Sequence, residues 1–191
     1  MARARARLDH AAIAVAFAPD GLHGVTAAEV AARAGVAKPT LYAHGRSKDA
    51  VFLACVEAEV ERLLDRLYEA EQRTRDLTPA RRAGALALAI LQHAAAAPHS
   101  ARLLHVTGRH AGSPVAAAVD AALDRIPARV TEALRCEPER GLALYGAAAA
   151  LAVHGSPDPY AAASLVGDAF GAALEPAPDA GDEGVVSVGF Y

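Results

Sequence analysis

Lys38, Thr40, Tyr42, His44 and Lys48 crowd into one short stretch, KPTLYAHGRSK. Each can donate a hydrogen bond, and the two lysines add full positive charges. Covalent chemistry needs something else: a nucleophile beside a base, paired carboxylates, or a glycine-rich phosphate loop after a strand. The chain shows none of these patterns. Its acids are spread along helical faces, and its serines lack histidine–acid partners. Dense donors on a short element suit an anionic surface outside the protein, with phosphate oxygens and base edges as acceptors.

Two helices must position these groups. Thr26–Glu29 (TAAE) is a capping box: the threonine oxygen accepts a backbone N–H while the glutamate reaches back to the cap residue. That helix should stop at Gly35, where a positive φ costs no steric penalty. A short helix then runs from about Lys38 to His44, with Pro39 in its first turn, where the missing N–H is not needed. Val30, Ala31, Ala34, Val36 and Leu41 supply small apolar contacts between the two helices. Helix, tight turn and short polar helix form a helix-turn-helix, whose second helix enters a DNA major groove. A helical hairpin used only for packing is the plain alternative. In the first reading Lys38, Pro39 and Thr40 lead the recognition helix toward base edges, and Tyr42 and His44 face phosphates. Thr26 sits at a helix N-terminus, where free N–H groups hold phosphate. Lys48, in the first turn of the next helix, opposes that helix's dipole, so an anion partner explains it better than stability does.

The stretch VTAAEVAARAGVAKPTLYAHGRSKDAVFLA (25–54) resembles the DNA-binding signature of TetR-family transcriptional regulators. The match runs through Val30-Ala31, Ala34-Gly35-Val36, Lys38, Thr40-Leu41-Tyr42, His44 and Ser47-Lys48. The resemblance implies DNA contacts from Thr26, Lys38, Pro39, Thr40, Tyr42, His44 and Lys48. It also implies a homodimer built from the last two helices, and an effector-driven swing of the long fourth helix. Two positions depart from the pattern. Ala37 replaces a serine cap worth roughly 1 kcal/mol. Gly45 stands where the family has a phenylalanine under the recognition helix, so a core anchor is expected to be missing and the backbone after His44 freed.

Composition supports an all-helical chain. Hydrophobic residues make up 53% of the 191, much of that alanine, and aromatics only 5%. The net charge is −3, but residues 1–48 hold seven Lys/Arg against three acids, leaving twelve against nineteen in the rest. A basic contact module on an acidic body fits that split, as does a chance excess of a few charges. ARARAR at residues 2–7 reads as a solvated terminus, while the resemblance implies an arm along the minor groove or the phosphates. No apolar run approaches the length of a membrane span, and the basic start lacks a secretory core, so no membrane partner is expected. Cys55 and Cys136 are isolated, which fits buried thiols in a reducing cytoplasm.

Beyond Ser47, which caps a long helix to about Arg73, start signals recur as TP, SP, EP and DP. They set helices near 79–96, 100–110, 114–135, 138–153 and 159–174, with Pro127 expected to kink or split the third. His93, His99, His105, His110 and His154 have no ligand spacing on a helix face, so no metal and no cofactor is expected. Arg102–His110 (RLLHVTGRH) reads as a buried helix from which His105 or Arg109 could point into a pocket. The last two helices are studded with small residues, which suits an interface between two subunits or burial within one.

The expectation is an all-α protein of about nine helices: a three-helix helix-turn-helix domain over 1–46, a ligand-binding and dimerisation domain over 47–174, and a flexible tail over 175–191. Its function would be that of a cytoplasmic, homodimeric, non-enzymatic regulator. It would act as a repressor on double-stranded, palindromic operator DNA, released by a small apolar effector. Leu63, His93, His105 and Tyr145 are the expected pocket residues. A helical ligand-binding or enzymatic protein with a decayed DNA-binding head is the alternative.

Overall fold

The computed structural model describes residues 10–42, 45, 47–107, 114–156 and 158–174. Among them the chain forms nine α-helices and no strand: α1 (His10–Phe17), α2 (Ala27–Arg33), α3 (Lys38–Tyr42), α4 (Lys48–Thr74), α5 (Pro79–Ala96), α6 (Pro98–Arg102), α7 (Ala116–Leu134), α8 (Pro138–His154) and α9 (Pro159–Leu174). A π-helical turn, Leu103–Thr107, continues α6.

Most boundaries follow the punctuation of the sequence. Ser47 accepts the Ala50 N–H at the start of α4, and Thr78 accepts that of Arg81 at α5. Asp158 Oδ1 takes the N–H groups of Tyr160 and Ala161 at α9. Glu137, at the start of α8, makes no side-chain cap bond, and Ser113 lies outside the described residues. Pro127 does not split α7, which runs through it unbroken. The expected helix over 100–110 instead starts at Pro98 and widens into the π turn, a local rearrangement often found where side chains line a functional cavity.

Core residues are continuous from α1 to α9. Helix α4 carries Val51, Phe52 and Val56 near its start and Val60, Leu63 and Leu67 further on, all buried. It therefore packs against α1 at one end and against α5 and α7 at the other. Ion pairs Arg125–Glu61 and Arg129–Glu71 tie α7 to its outer face. Helices α5 and α9 meet almost backbone to backbone: a Cβ on Gly167 would lie 2.8 Å from the Ala80 carbonyl and the Gly84 Cα, and one on Gly171 would overlap Ala80. The small residues of α9 are thus consumed inside the subunit, while Tyr160 and Leu165 on the same helix stay exposed.

Candidate nucleic-acid interface and body cavity

The first three helices converge on a small, dense core. Ile13, Phe17, Leu22, Val25, Val30 and Leu41 are at most 2% exposed, and Phe17 meets Phe52 edge to face with centroids 5.0 Å apart. The capping box at α2 is complete: the Thr26 N–H donates to Glu29 Oε2 at 2.7 Å, and the Glu29 N–H donates to Thr26 Oγ1 at 3.2 Å. The hydrogen bond from Thr26 holds the Glu29 carboxyl below its ordinary pKa. At the other end of α2, Gly35 takes φ +66°, with Val36 N–H bonded to Ala31 and Gly35 N–H to Ala32. That pair of bonds is a Schellman motif, and it turns the chain directly into α3.

Helix α3 buries Leu41 and leaves Lys38, Pro39 and Tyr42 exposed, with Thr40 half-buried. Thr26 is exposed at the head of α2 with its hydroxyl engaged as the cap. His44 lies outside the described residues. Gly45 was expected to remove a core anchor and to free the backbone after His44. It instead rests on the first turn of α4, where an added Cβ would lie 2.9 Å from Val51 Cγ2 and 2.9 Å from its backbone nitrogen. Phenylalanine has no room at that position, and Phe17 with Phe52 provides the aromatic anchor.

Charge is arranged differently from the simple count. Arg33 donates to Asp20 at 2.9 Å and to the Ala16 carbonyl at 3.1 Å. Lys48 Nζ donates to the carbonyls of Leu22 at 2.6 Å and Val25 at 2.8 Å. The stability reason judged poor for Lys48 is therefore present. Its ammonium satisfies two carbonyls of the loop between α1 and α2, and those bonds outweigh a weak dipole penalty. Among the described head residues, Lys38 is the cation that no such bond holds.

These helices now carry their identification. Residues 10–55, from α1 into α4, match the family described as bacterial regulatory proteins, tetR family. The head is thus of the tetR type. No curated protein sequence matches it. A transcriptional regulator from Rhodococcus sp. Rha1 is 27% identical over 88% of this chain and 96% of that one, at a TM-score of 0.66. The fatty acid degradation regulator FadR of Bacillus halodurans shares the fold at 16% identity, 84% and 95% coverage and a TM-score of 0.71. FadR of Bacillus subtilis, solved in complex with stearoyl-CoA, does so at 14% identity, 85% and 96% coverage and a TM-score of 0.67.

Behind this tetR-type head, the body holds a cavity of about 470 Å³ between the π turn and α8. Leu104, Ala149, Ala150 and Val153 give it apolar walls, and His105, Tyr145 and His154 its polar groups. His105 Nδ1 and the Tyr145 hydroxyl are 2.9 Å apart. Burial and the nearby His93 lower the His105 pKa to about 4, so the ring is neutral at pH 7. Two of the four expected pocket residues, His105 and Tyr145, thus come together at the cavity wall. Leu63 and His93 do not line it: Leu63 is fully buried in the core and His93 is 3% exposed. Burial, aided by Arg66 and Arg62, lowers the His93 pKa to about 4 as well. His154, exposed at the end of α8, also lines this cavity, a position that only the docking of α8 reveals.

Among the described residues, no group of three His, Cys, Asp or Glu side chains is placed to hold a metal ion. No described helix is long and apolar enough to cross a membrane. Cys55 is buried, and desolvation raises its thiol pKa far above the ordinary value, which makes it a packing group.

Proposed function

We propose that the protein is a homodimeric repressor that binds a palindromic operator through two copies of its head and leaves it when a small, largely apolar effector fills the cavity beside α8. The head comprises residues 1–46, the body 47–174, and 175–191 form a tail. Lys38, Pro39, Thr40, Tyr42 and His44 make the DNA contacts, with Thr26 beside them. One observation carries the reading. In a tetR-family head with an intact core, α3 turns Leu41 inward and presents Lys38, Pro39 and Tyr42 to solvent. The closed packing around Gly45 speaks against a decayed head. Exposed Leu142, Tyr160 and Leu165 on α8 and α9, beside an apolar groove of about 510 Å³, support dimerisation through those helices.

The apolar walls at Leu104, Ala149 and Val153 support an apolar effector, and the stearoyl-CoA of the Bacillus subtilis FadR complex makes long-chain acyl compounds the first candidates. Effector and DNA must favour different states, so each weakens the other's binding by the same factor. Selection of bound sequences from a random DNA pool tests the DNA arm: a two-fold symmetric site is expected, and recovery of no preferred sequence would defeat the proposal. Titrating acyl compounds into the isolated complex then tests release.

A further inference from the structure

Helices α5 and α9 run antiparallel. Gln92 Nε2 donates to the Tyr160 hydroxyl at 3.3 Å at one end of the pair, and Gly171 meets Ala80 at the other. Helix α9 ends at Leu174, so it stops about one turn beyond Ala80, level with the turn that joins α4 to α5. Residues 175–191 therefore leave the body beside that turn.

The same turn is strongly basic. Residues 73–82 hold Arg73, Arg75, Arg81 and Arg82 against one acid, Asp76. Arg73 is held by Glu69 at 2.8 Å, whereas Arg75 has only Asp76, at 3.9 Å, with both side chains largely exposed. Arg82 donates through Nη2 to the carbonyls of Arg75 and Leu77, and its Nε–H is buried without a partner. Arg81 is exposed. Neither Arg81 nor Arg82 has a carboxylate partner among the described residues. Both sit in the first turn of α5, where no acid offsets them and the helix dipole disfavours cations. A partner of opposite charge accounts for this corner better than helix stability does.

The chain carries such a partner next door. Glu175, Asp179, Asp182 and Glu183 follow directly on α9, and residues 175–191 contain no Lys, Arg or His. An extended chain spans about 3.3 Å per residue, so even Glu183 has about 30 Å of reach from Leu174. So short a tether holds the acids at an effective concentration on the order of millimolar, where several weak ion pairs suffice.

We propose that the acidic segment 175–183 docks on the arginines of the α4–α5 turn of its own subunit, with Arg75 and Arg81 as its main partners. The contact ties the exit of α9 to the end of α4 and the start of α5. It needs neither DNA nor effector.

The chain has no tryptophan, so Ala180→Trp in the full-length protein places a single reporter among the acids. Its fluorescence anisotropy should be high at low salt and fall to that of a free peptide in about 1 M salt, where the screening length is about 3 Å. Arg75→Glu combined with Arg81→Glu should give the low value at every salt concentration. Adding Asp179→Arg and Asp182→Arg to that variant should restore the high one. Low anisotropy at low salt with the arginines intact would overturn the proposal. So would a high value that neither salt nor the arginine changes lower, because apolar docking of the residues beyond Glu183 would then hold the tail. Co-expression with a tryptophan-free subunit carrying both arginine changes assigns the site. An unchanged reporter keeps the tail on its own subunit, whereas a fall moves it to a second copy and defeats the proposal. Should the charge-swapped variant fail to fold, the salt titration of the Ala180→Trp protein decides alone.

Discussion

The head and the α5–α9 crossing of the body are packed by opposite means. The head surrounds α3 with large side chains: Phe17 and Phe52 in edge contact, with Ile13, Leu22 and Leu41 fully or almost fully buried. The body removes side chains where α5 and α9 cross, so that Gly167 and Gly171 let the backbones touch at Ala80 and Gly84. The head therefore depends on atoms that are present, and the α5–α9 contact on atoms that are absent. Deletion should break the first and insertion the second.

The largest expected effect is deletion where the head packs on the first turns of α4. Phe52→Ala removes a fully buried ring and its partner contact with Phe17, at a cost of about 4 kcal/mol. Thermal unfolding of the variant should begin in the head, and operator binding should be lost at temperatures where the body remains helical. If body and head melt together as before, the two cores are one cooperative unit and the contrast fails.

Acid should reverse the order. His93 has a folded-state pKa of about 4 against an ordinary 6.5, because burial disfavours its charged form. Its neutral ring contributes stability that is complete above pH 6.5 and is lost as pH falls toward 4, about 3 kcal/mol at the limit. His105 adds to this in the same window and direction. Hydrogen exchange compared at pH 7 and pH 5 should show α5 and the π turn losing protection ahead of α2. Replacing His93 by glutamine should flatten that dependence. Equal losses in head and body would show that the histidines do not set the acid limit.

What the sequence made legible was local. The capping box at Thr26, the Gly35 turn, the Ser47 cap and the proline starts of α5, α8 and α9 each depend on neighbours within a few residues, and each lies at or within a residue of where it was expected. What stayed hidden needed a partner far along the chain. Lys48 was read from its own helix dipole, and its two carbonyls lie more than twenty residues away. The small residues of α9 announced close contact but not with which helix. His105 and Tyr145 could be named from an apolar surrounding, whereas His93 and Leu63 share that surrounding and are packed solid. Composition tells burial from exposure. It does not tell a cavity wall from a filled core.

The body's half of the contrast is sharpest at two glycines. Gly171→Ala adds a methyl that would overlap Ala80 on α5, backbone included, so neither helix can yield by a rotamer change. Overpacking of this kind costs about 2 kcal/mol, beyond what alanine returns as a better helix former. Gly146, in the middle of α8, has nothing within 4 Å of the same added atom. There the substitution removes backbone entropy from the unfolded chain and should raise stability by about 1 kcal/mol. Chemical denaturation of both variants at several protein concentrations checks the pair. A gain at Gly146 that does not depend on concentration leaves that face open to the cavity, as the geometry has it. A loss that grows with concentration would mean that the second subunit packs there, and the apolar wall beside Tyr145 would then be part of the dimer contact instead of an effector site.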